Sequence, residues 1–132
     1  MAAFAGFLTG REAAKYMKKR NEGSIFFTGA TASMRGGSGF SAFSSAKFAL
    51  RAVSQSMARE LGPEGIHVAH FIIDGAIDTA FIKETFPETY ALKDKDGILQ
   101  PDAIADTYWY VHTQHRSAWT HELDLRPYME KF

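Results

Sequence analysis

The chain has 132 residues, 45% hydrophobic and 23% charged, which suits a single domain with a buried core and a solvated surface. Its 15 basic residues balance 15 acidic ones, which excludes a polyanion-binding protein, because neutralising phosphates needs a basic excess or stripe; no nucleic-acid partner is expected. It has no cysteine and no apolar run long enough to cross a bilayer, which excludes disulfides, thiolate chemistry and a membrane span and points to a reducing, cytoplasmic setting.

Met1 to Gly10 lacks a basic start, and its charges follow the apolar stretch, so it reads as the opening of a helix and not as a signal peptide. That helix is expected over residues 3–20. Ala3, Phe7, Gly10, Ala14 and Met17 recur at helical spacing, while Arg11, Lys15 and Lys18 fall elsewhere. Gly6 and Gly10 stand one turn apart; glycine weakens a helix, and close approach of another element is the expected compensation. The basic cluster from Lys15 to Arg20 complements the dipole at the helix end, and Asn21-Glu22-Gly23 stops it. Ser24 to Thr28 reads as a short buried strand, and Gly29 to Phe40 as a loop with Gly36, Gly37 and Gly39. A long helix follows from Ser41 to Leu61. Its Ala46, Leu50, Val53, Met57 and Leu61 make one apolar stripe, and Gly62-Pro63 ends it. Ile66 to Ile73 is nearly all apolar, as in a parallel strand covered on both faces. Residues 80–99 read as a short helix and a mobile loop. Pro101 suits the first turn of a helix running to about Thr113. Thr120 to Leu125 reads as a last strand, with Leu123 and Leu125 on one face.

This alternation implies an α/β layer, a short parallel sheet of about three strands joined by right-handed crossover helices. So small a sheet has two edges to protect, so self-association is expected.

Gly37-Ser-Gly39-Phe-Ser-Ala42 matches a dinucleotide fingerprint on paper. That motif needs a tight turn straight from strand into helix, so that phosphate meets the helix N-terminus. Here the strand ends well before Gly37, and the block reads as a flexible loop. His112 and His115 lie near a helix end, and His67 and His70, three apart on a strand, point to opposite faces. No carboxylates complete a metal site, so none is expected. A serine hydrolase is disfavoured, because no G-x-S-x-G elbow is present.

Phe43-Ser-Ser-Ala-Lys47-Phe-Ala-Leu50 taken alone is the start of an amphipathic helix with one lysine. In context it is more specific. Gly23-Ser-Ile-Phe-Phe-Thr-Gly-Ala-Thr31, the block from Gly39 to Leu61, Gly65-Ile-His-Val-Ala-His-Phe-Ile-Ile-Asp-Gly-Ala-Ile-Asp-Thr79 and the closing Glu122-Leu-Asp-Leu-Arg-Pro127 together resemble the short-chain dehydrogenase/reductase family. The likeness covers most of the chain, residues 1–132 reading as one domain equivalent to the C-terminal half of that family's Rossmann-like fold.

The resemblance implies a NAD- or NADP-dependent oxidoreductase acting on a small carbonyl or alcohol. In the family a Tyr-x-x-x-Lys pair does the chemistry: the tyrosine moves the proton, and the lysine lowers its pKa and holds the nicotinamide ribose. Lys47 fits the lysine, but Phe43 stands at the tyrosine position and has no ionisable proton. Counting back to the family's serine lands on Ala30, with Thr31 one step away as a substitute hydroxyl. Gly75, Ile77 and Thr79 match the segment around the nicotinamide amide, with Asp74 in place of a proline. Residues 80–100 match the substrate loop in place. The family's glycine-rich turn precedes the first helix seen here, so the chain is expected to be a truncated or catalytically degenerate member, inactive alone. The alternative is a non-catalytic module that self-associates. The resemblance implies a homodimer or larger oligomer through helices 3–20 and 41–61, with Gly6, Gly10, Ala13 and the stripe from Ala46 to Met57 suited to the contact.

Overall fold

The computed structural model describes residues 2–131. Helix α1 (Ala2–Met17) leads into strand β1 (Gly23–Ala30), a 3-10 turn at Thr31–Ser33, and helix α2 (Ser41–Leu61). Strand β2 (Ile66–Ile73) follows, then short helices α3 (Ala80–Thr85) and α4 (Pro87–Tyr90), helix α5 (Pro101–His112) and strand β3 (Glu122–Leu125). The three strands form one parallel sheet in the order β1-β2-β3. Gly23 pairs with Ile66 through to Ala30 with Ile73, and His70 pairs with Glu122 through to Ile73 with Leu125. The expected three-stranded α/β layer therefore forms. Among the described residues no strand pairs with the outer edge of β1.

Alternation along β2 divides the core. Ile66 and Val68 pack with Ile25 and Phe27 of β1 under Ala14, Leu50, Met57 and Leu61 of α1 and α2. Ala69, Phe71 and Ile73 pack on the opposite face with Phe26, with Ile104, Tyr108 and Val111 of α5, and with Leu123 and Leu125, which share that face as expected. His67 and His70 fall on opposite faces for the same reason. His67 stacks on Trp119 at 4.6 Å, whereas His70 reaches the Glu122 carboxylate at 3.0 Å.

The close approach expected of Gly6 and Gly10 occurs within the chain. A Cβ on Gly6 would strike the Leu50 side chain, and one on Gly10 would lie 2.9 Å from Met57 and 3.1 Å from Phe27. Ala13 packs against the same core. The small-residue face proposed for a two-fold contact thus joins α1 to α2 and β1, and Phe4, Phe7, Tyr16 and Phe48 face outward. Phe7 therefore departs from the α1 stripe. On α2 the stripe holds at Leu50, Met57 and Leu61, with Val53 half-buried, but Ser44 and Ser54 are buried members of it too.

Two stretches are more regular than their local sequence suggests. Strand β1 runs two residues past Thr28, because Gly29 and Ala30 pair with Ile72 and Ile73. Gly29 is needed there: a Cβ would meet the His70 ring and lie 2.7 Å from the Ser33 hydroxyl. The expected loop after Thr85 is instead α4 and a 3-10 helix at Ala91–Lys95. Pro87 starts α4, and Lys93 pairs with Asp78 at 2.7 Å. Leu99 returns to a parallel bridge with Ile77.

Candidate site at the C-terminal end of the sheet

In an open parallel sheet, ligands sit outside the carboxyl ends of the strands, where the connections diverge. Here β1 ends at Ala30 and β2 at Ile73, and a cavity of about 470 Å³ opens between the segments that follow. Ala30, Thr31 and Arg35 come from the β1 side, Phe40, Phe43 and Ser44 from the start of α2, and Ile73 and Gly75 from the end of β2.

The polar groups at this end are few and mostly engaged. The Thr31 hydroxyl donates to Asp74 Oδ1. Arg35 approaches both Asp74 oxygens at 3.4 Å, long for charge-assisted hydrogen bonds. Asp74 is almost fully buried, and its backbone N–H donates to the Leu125 carbonyl at 2.8 Å, fixing it between β2 and β3. The Ser44 hydroxyl is buried without a hydrogen-bond partner. One turn beyond Phe43 on α2, the Lys47 ammonium lies 5.8 Å from the Phe43 ring centre and donates to the Thr28 carbonyl at 3.0 Å. Partial burial pushes the Lys47 pKa below its ordinary value of 10.5.

Thr31, Phe43 and Gly75 share this cavity, and Lys47 stands beside it. Gly75 has φ +146°, and a Cβ there would lie 2.9 Å from Pro127 and 3.4 Å from Glu130, so the tail after β3 covers it. Ile77 and Thr79 lie outside the cavity wall. Ile77 packs into the α5-side core and borders a separate cavity of about 550 Å³. Thr79 caps α3, its hydroxyl oxygen accepting the Ile82 N–H at 3.3 Å. Arg35 and Ser44 were invisible as site residues in the sequence. Nothing in a glycine-rich stretch marks one arginine, and Ser44 reads as the polar face of α2. Asp74 gave a signal, an acidic residue closing an eight-residue apolar run.

For a nicotinamide cofactor these residues fit one end only. That end offers the Lys47 ammonium and the backbone turn at Gly75. The Gly37–Ala42 block does lead into α2, but residues 31–36, including a 3-10 turn, separate it from β1. It is therefore not a strand-to-helix phosphate turn.

A larger cavity, about 1070 Å³, lies at the opposite end of the sheet, bordered by Ser24, His67, His112 and Trp119. There the Ser24 hydroxyl and His112 Nδ1 are hydrogen-bonded at 2.9 Å. Trp119 borders this cavity, whereas Trp109, exposed on α5, borders the 550 Å³ cavity with Ile77.

The short chain dehydrogenase family matches residues 2–89. A short-chain dehydrogenase from Rhodopseudomonas palustris is 52% identical, with a TM-score of 0.74 over 97% of this chain and 49% of its own. The (21S)-21-acetoxyl-apo-melianone synthase of Melia azedarach is 31% identical over 80% of this chain and 41% of that protein. A 7 alpha-hydroxysteroid dehydrogenase, solved with NADH and 7-oxo glycochenodeoxycholic acid, shares the fold with a TM-score of 0.82 at 22% identity, over 97% of this chain and 52% of its own. The chain spans about half the length of these solved relatives. By its sequence and by the layout of its sheet and helices, it belongs to the short-chain dehydrogenase/reductase family.

Proposed function

We propose that the chain is the substrate-side half of a NAD- or NADP-dependent oxidoreductase acting on a small carbonyl or alcohol, in a cytoplasmic setting that accords with its lack of cysteine. The observation that carries this reading is the meeting of the Phe43–Lys47 face of α2 with Thr31 and Gly75 at one cavity, beyond the ends of two parallel strands. The solved relative that holds NADH and a steroid ketone supports the cofactor class. In this reading Lys47 holds the nicotinamide ribose and Gly75 borders the amide, with Ile77 and Thr79 following it outside the cavity wall. Thr31 meets the substrate oxygen, and residues 80–100 cover the substrate. When bound, the cofactor supplies or accepts a hydride. Phe43 contributes shape and exclusion of water but no proton. The phosphate end of the cofactor needs further strands, and the unpaired edge of β1 is where they would add.

The test is ligand-observed NMR with NADPH, because neither tryptophan lines the candidate cavity. The chain alone is expected to show no turnover, and Phe43→Tyr to restore none, because nothing on the Lys47 side holds the phosphates. Supplying a glycine-rich βαβ polypeptide that pairs along β1 should bring binding into the micromolar range. If millimolar NADPH contacts neither the chain nor that complex, the reading fails. Turnover of a carbonyl substrate by Phe43→Tyr alone would overturn the assignment of this chain as a half.

A second reading is a non-catalytic module that self-associates. It rests on Phe4 and Tyr16 of α1, more than 65% exposed on the outer helical layer together with Phe7 and Phe48. Light scattering separates the two: a dimer dissociated by Phe4→Glu, with no response to NADPH in any complex, favours the module.

A further inference from the structure

We propose that Thr31 and Asp74 form a proton relay that serves in place of the missing tyrosine hydroxyl. The proposal rests on the oxidoreductase reading above and deepens it by naming the group that moves the proton.

The starting point is what the cavity wall can do with a proton. Phe43 has none to give. Arg35 cannot be deprotonated in a protein. Lys47 turns its ammonium to the Thr28 carbonyl. The Ser44 hydroxyl is buried with no acceptor behind it. Thr31 alone on this wall combines a hydroxyl at the cavity with a carboxylate behind it, since it donates to Asp74 Oδ1. A threonine hydroxyl is too weak an acid to act unaided. Backed by a carboxylate it passes a proton through, because its one hydrogen and two lone pairs let it donate to Asp74 while accepting from a substrate.

The placement is specific to the ends of the strands. Thr31 directly follows β1 and Asp74 directly follows β2, so the register that pairs Ala30 with Ile73 sets the two side chains against each other. The Asp74 side chain is only 4% exposed, so its route to the cavity runs through Thr31. The charged groups around it are Arg35, at 3.4 Å, and Glu130, across Gly75.

In alcohol oxidation the substrate O–H bond breaks and its proton passes to Thr31 Oγ1 as the Thr31 proton passes to Asp74 Oδ1. The adjacent C–H bond breaks with its electron pair leaving as hydride to the oxidised nicotinamide, and the C=O bond forms. Asp74 ends protonated and returns its proton through Thr31 to solvent once the ketone leaves. Carbonyl reduction runs the same transfers backwards.

Two measurements decide it. The first uses the full chain alone and needs no cofactor: the NMR chemical shift of the Asp74 carboxyl carbon, with and without cyclohexanol as a cavity probe. A hydroxyl that accepts from the cavity while donating to Asp74 passes the alcohol's hydrogen bond on to the carboxylate. Cyclohexanol should shift the Asp74 signal in the parent chain and in Thr31→Ser, and not in Thr31→Val. An Asp74 signal blind to cyclohexanol, or shifted equally in the parent and in Thr31→Val, would overturn the relay whatever the chain's activity. The second uses the complex with the glycine-rich polypeptide. Asp74→Asn should lower kcat by about a hundred- to ten-thousand-fold, the usual span for acid–base catalysis. NADPH affinity should hold. Thr31→Val should match it, Thr31→Ser should stay within about tenfold of the parent, and the double variant should be no worse than either single one, as for groups acting as a unit. Full turnover by Asp74→Asn overturns the relay and leaves the oxidoreductase reading standing. Failure of the parent complex to bind NADPH removes the oxidoreductase reading and leaves the cyclohexanol measurement to judge the hydrogen-bonded pair.

Discussion

The two faces of β2 are built on different chemistry. On the α1/α2 side, aliphatic residues and glycines draw two helices down onto the sheet, and Arg51 and His70 converge on Glu122. On the α5 side the filling is aromatic: Phe71 lies on Tyr108 at 3.7 Å between ring centres, with Phe26 tilted against both. The first face is closed by the chain's own helices. The second is only partly covered, with Trp109 and Tyr110 exposed and two cavities along Phe26. Apolar content alone does not close a face. Closure here follows from α1 and α2 lying side by side over β1 and β2, whereas the single 12-residue helix α5 covers the other side.

The sharpest test of this contrast is Phe71→Ala. Phe71 is fully buried on the less covered face, so if that face is a true core the loss should be about 3–5 kcal/mol by urea denaturation. A loss near zero would mean that the aromatic face is surface in all but appearance. Glu122→Ala comes next. It leaves Arg51 and the buried His70 without their shared carboxylate. Because Arg51 and Glu122 are about a quarter exposed, the expected loss is about 2 kcal/mol, below that of a fully buried pair.

Both faces carry an acid sensitivity. Burial holds the His67 and His70 pKa values below the ordinary 6.5, outweighing the Thr120 carbonyl at one and the Glu122 carboxylate at the other. The unfolded chain then takes up protons that the native rings refuse, so stability is complete above the ordinary histidine value and is lost as pH falls below it. Glu122, held below 4.5 by Arg51 despite its own burial, adds a further loss in stronger acid. The melting temperature should fall from pH 7 to pH 5, and His67→Phe should flatten part of that slope. A temperature that is level or rising over this range would contradict the neutral buried rings. The smallest effect is expected for Trp109→Ala, within about 0.5 kcal/mol, because the side chain is mostly in solvent.

Which parts were readable in the sequence follows from the range of the forces involved. Helix 41–61 and strand 66–73 form over the residues expected, because each is long enough to show its period. The short helix expected after Ala80 forms as α3, but α4, a single turn, shows too little pattern to tell from loop. Gly29 and Ala30 look like the start of a loop until Ile72 and Ile73 pair with them. The sequence also marked Phe43, Lys47, Thr31 and Gly75, which gather at one end of the sheet. It did not show that Thr31 reaches Asp74, 43 residues away, because only the strand register brings them together. Ser44 and Ser54 gave no sign of their burial, since a serine's burial depends on what packs over it and not on its own character.

The all-parallel sheet has a consequence for the order in which this chain can fold. No strand has a hairpin partner, so β1 must wait for a whole crossover helix before β2 exists to receive it. At a synthesis rate of about 5–20 residues per second, a separation of 43 residues makes Ile25-Phe26-Phe27 wait roughly two to nine seconds for β2. Loop closure then has to precede any pairing contact, which makes refolding slow compared with that of a helical bundle.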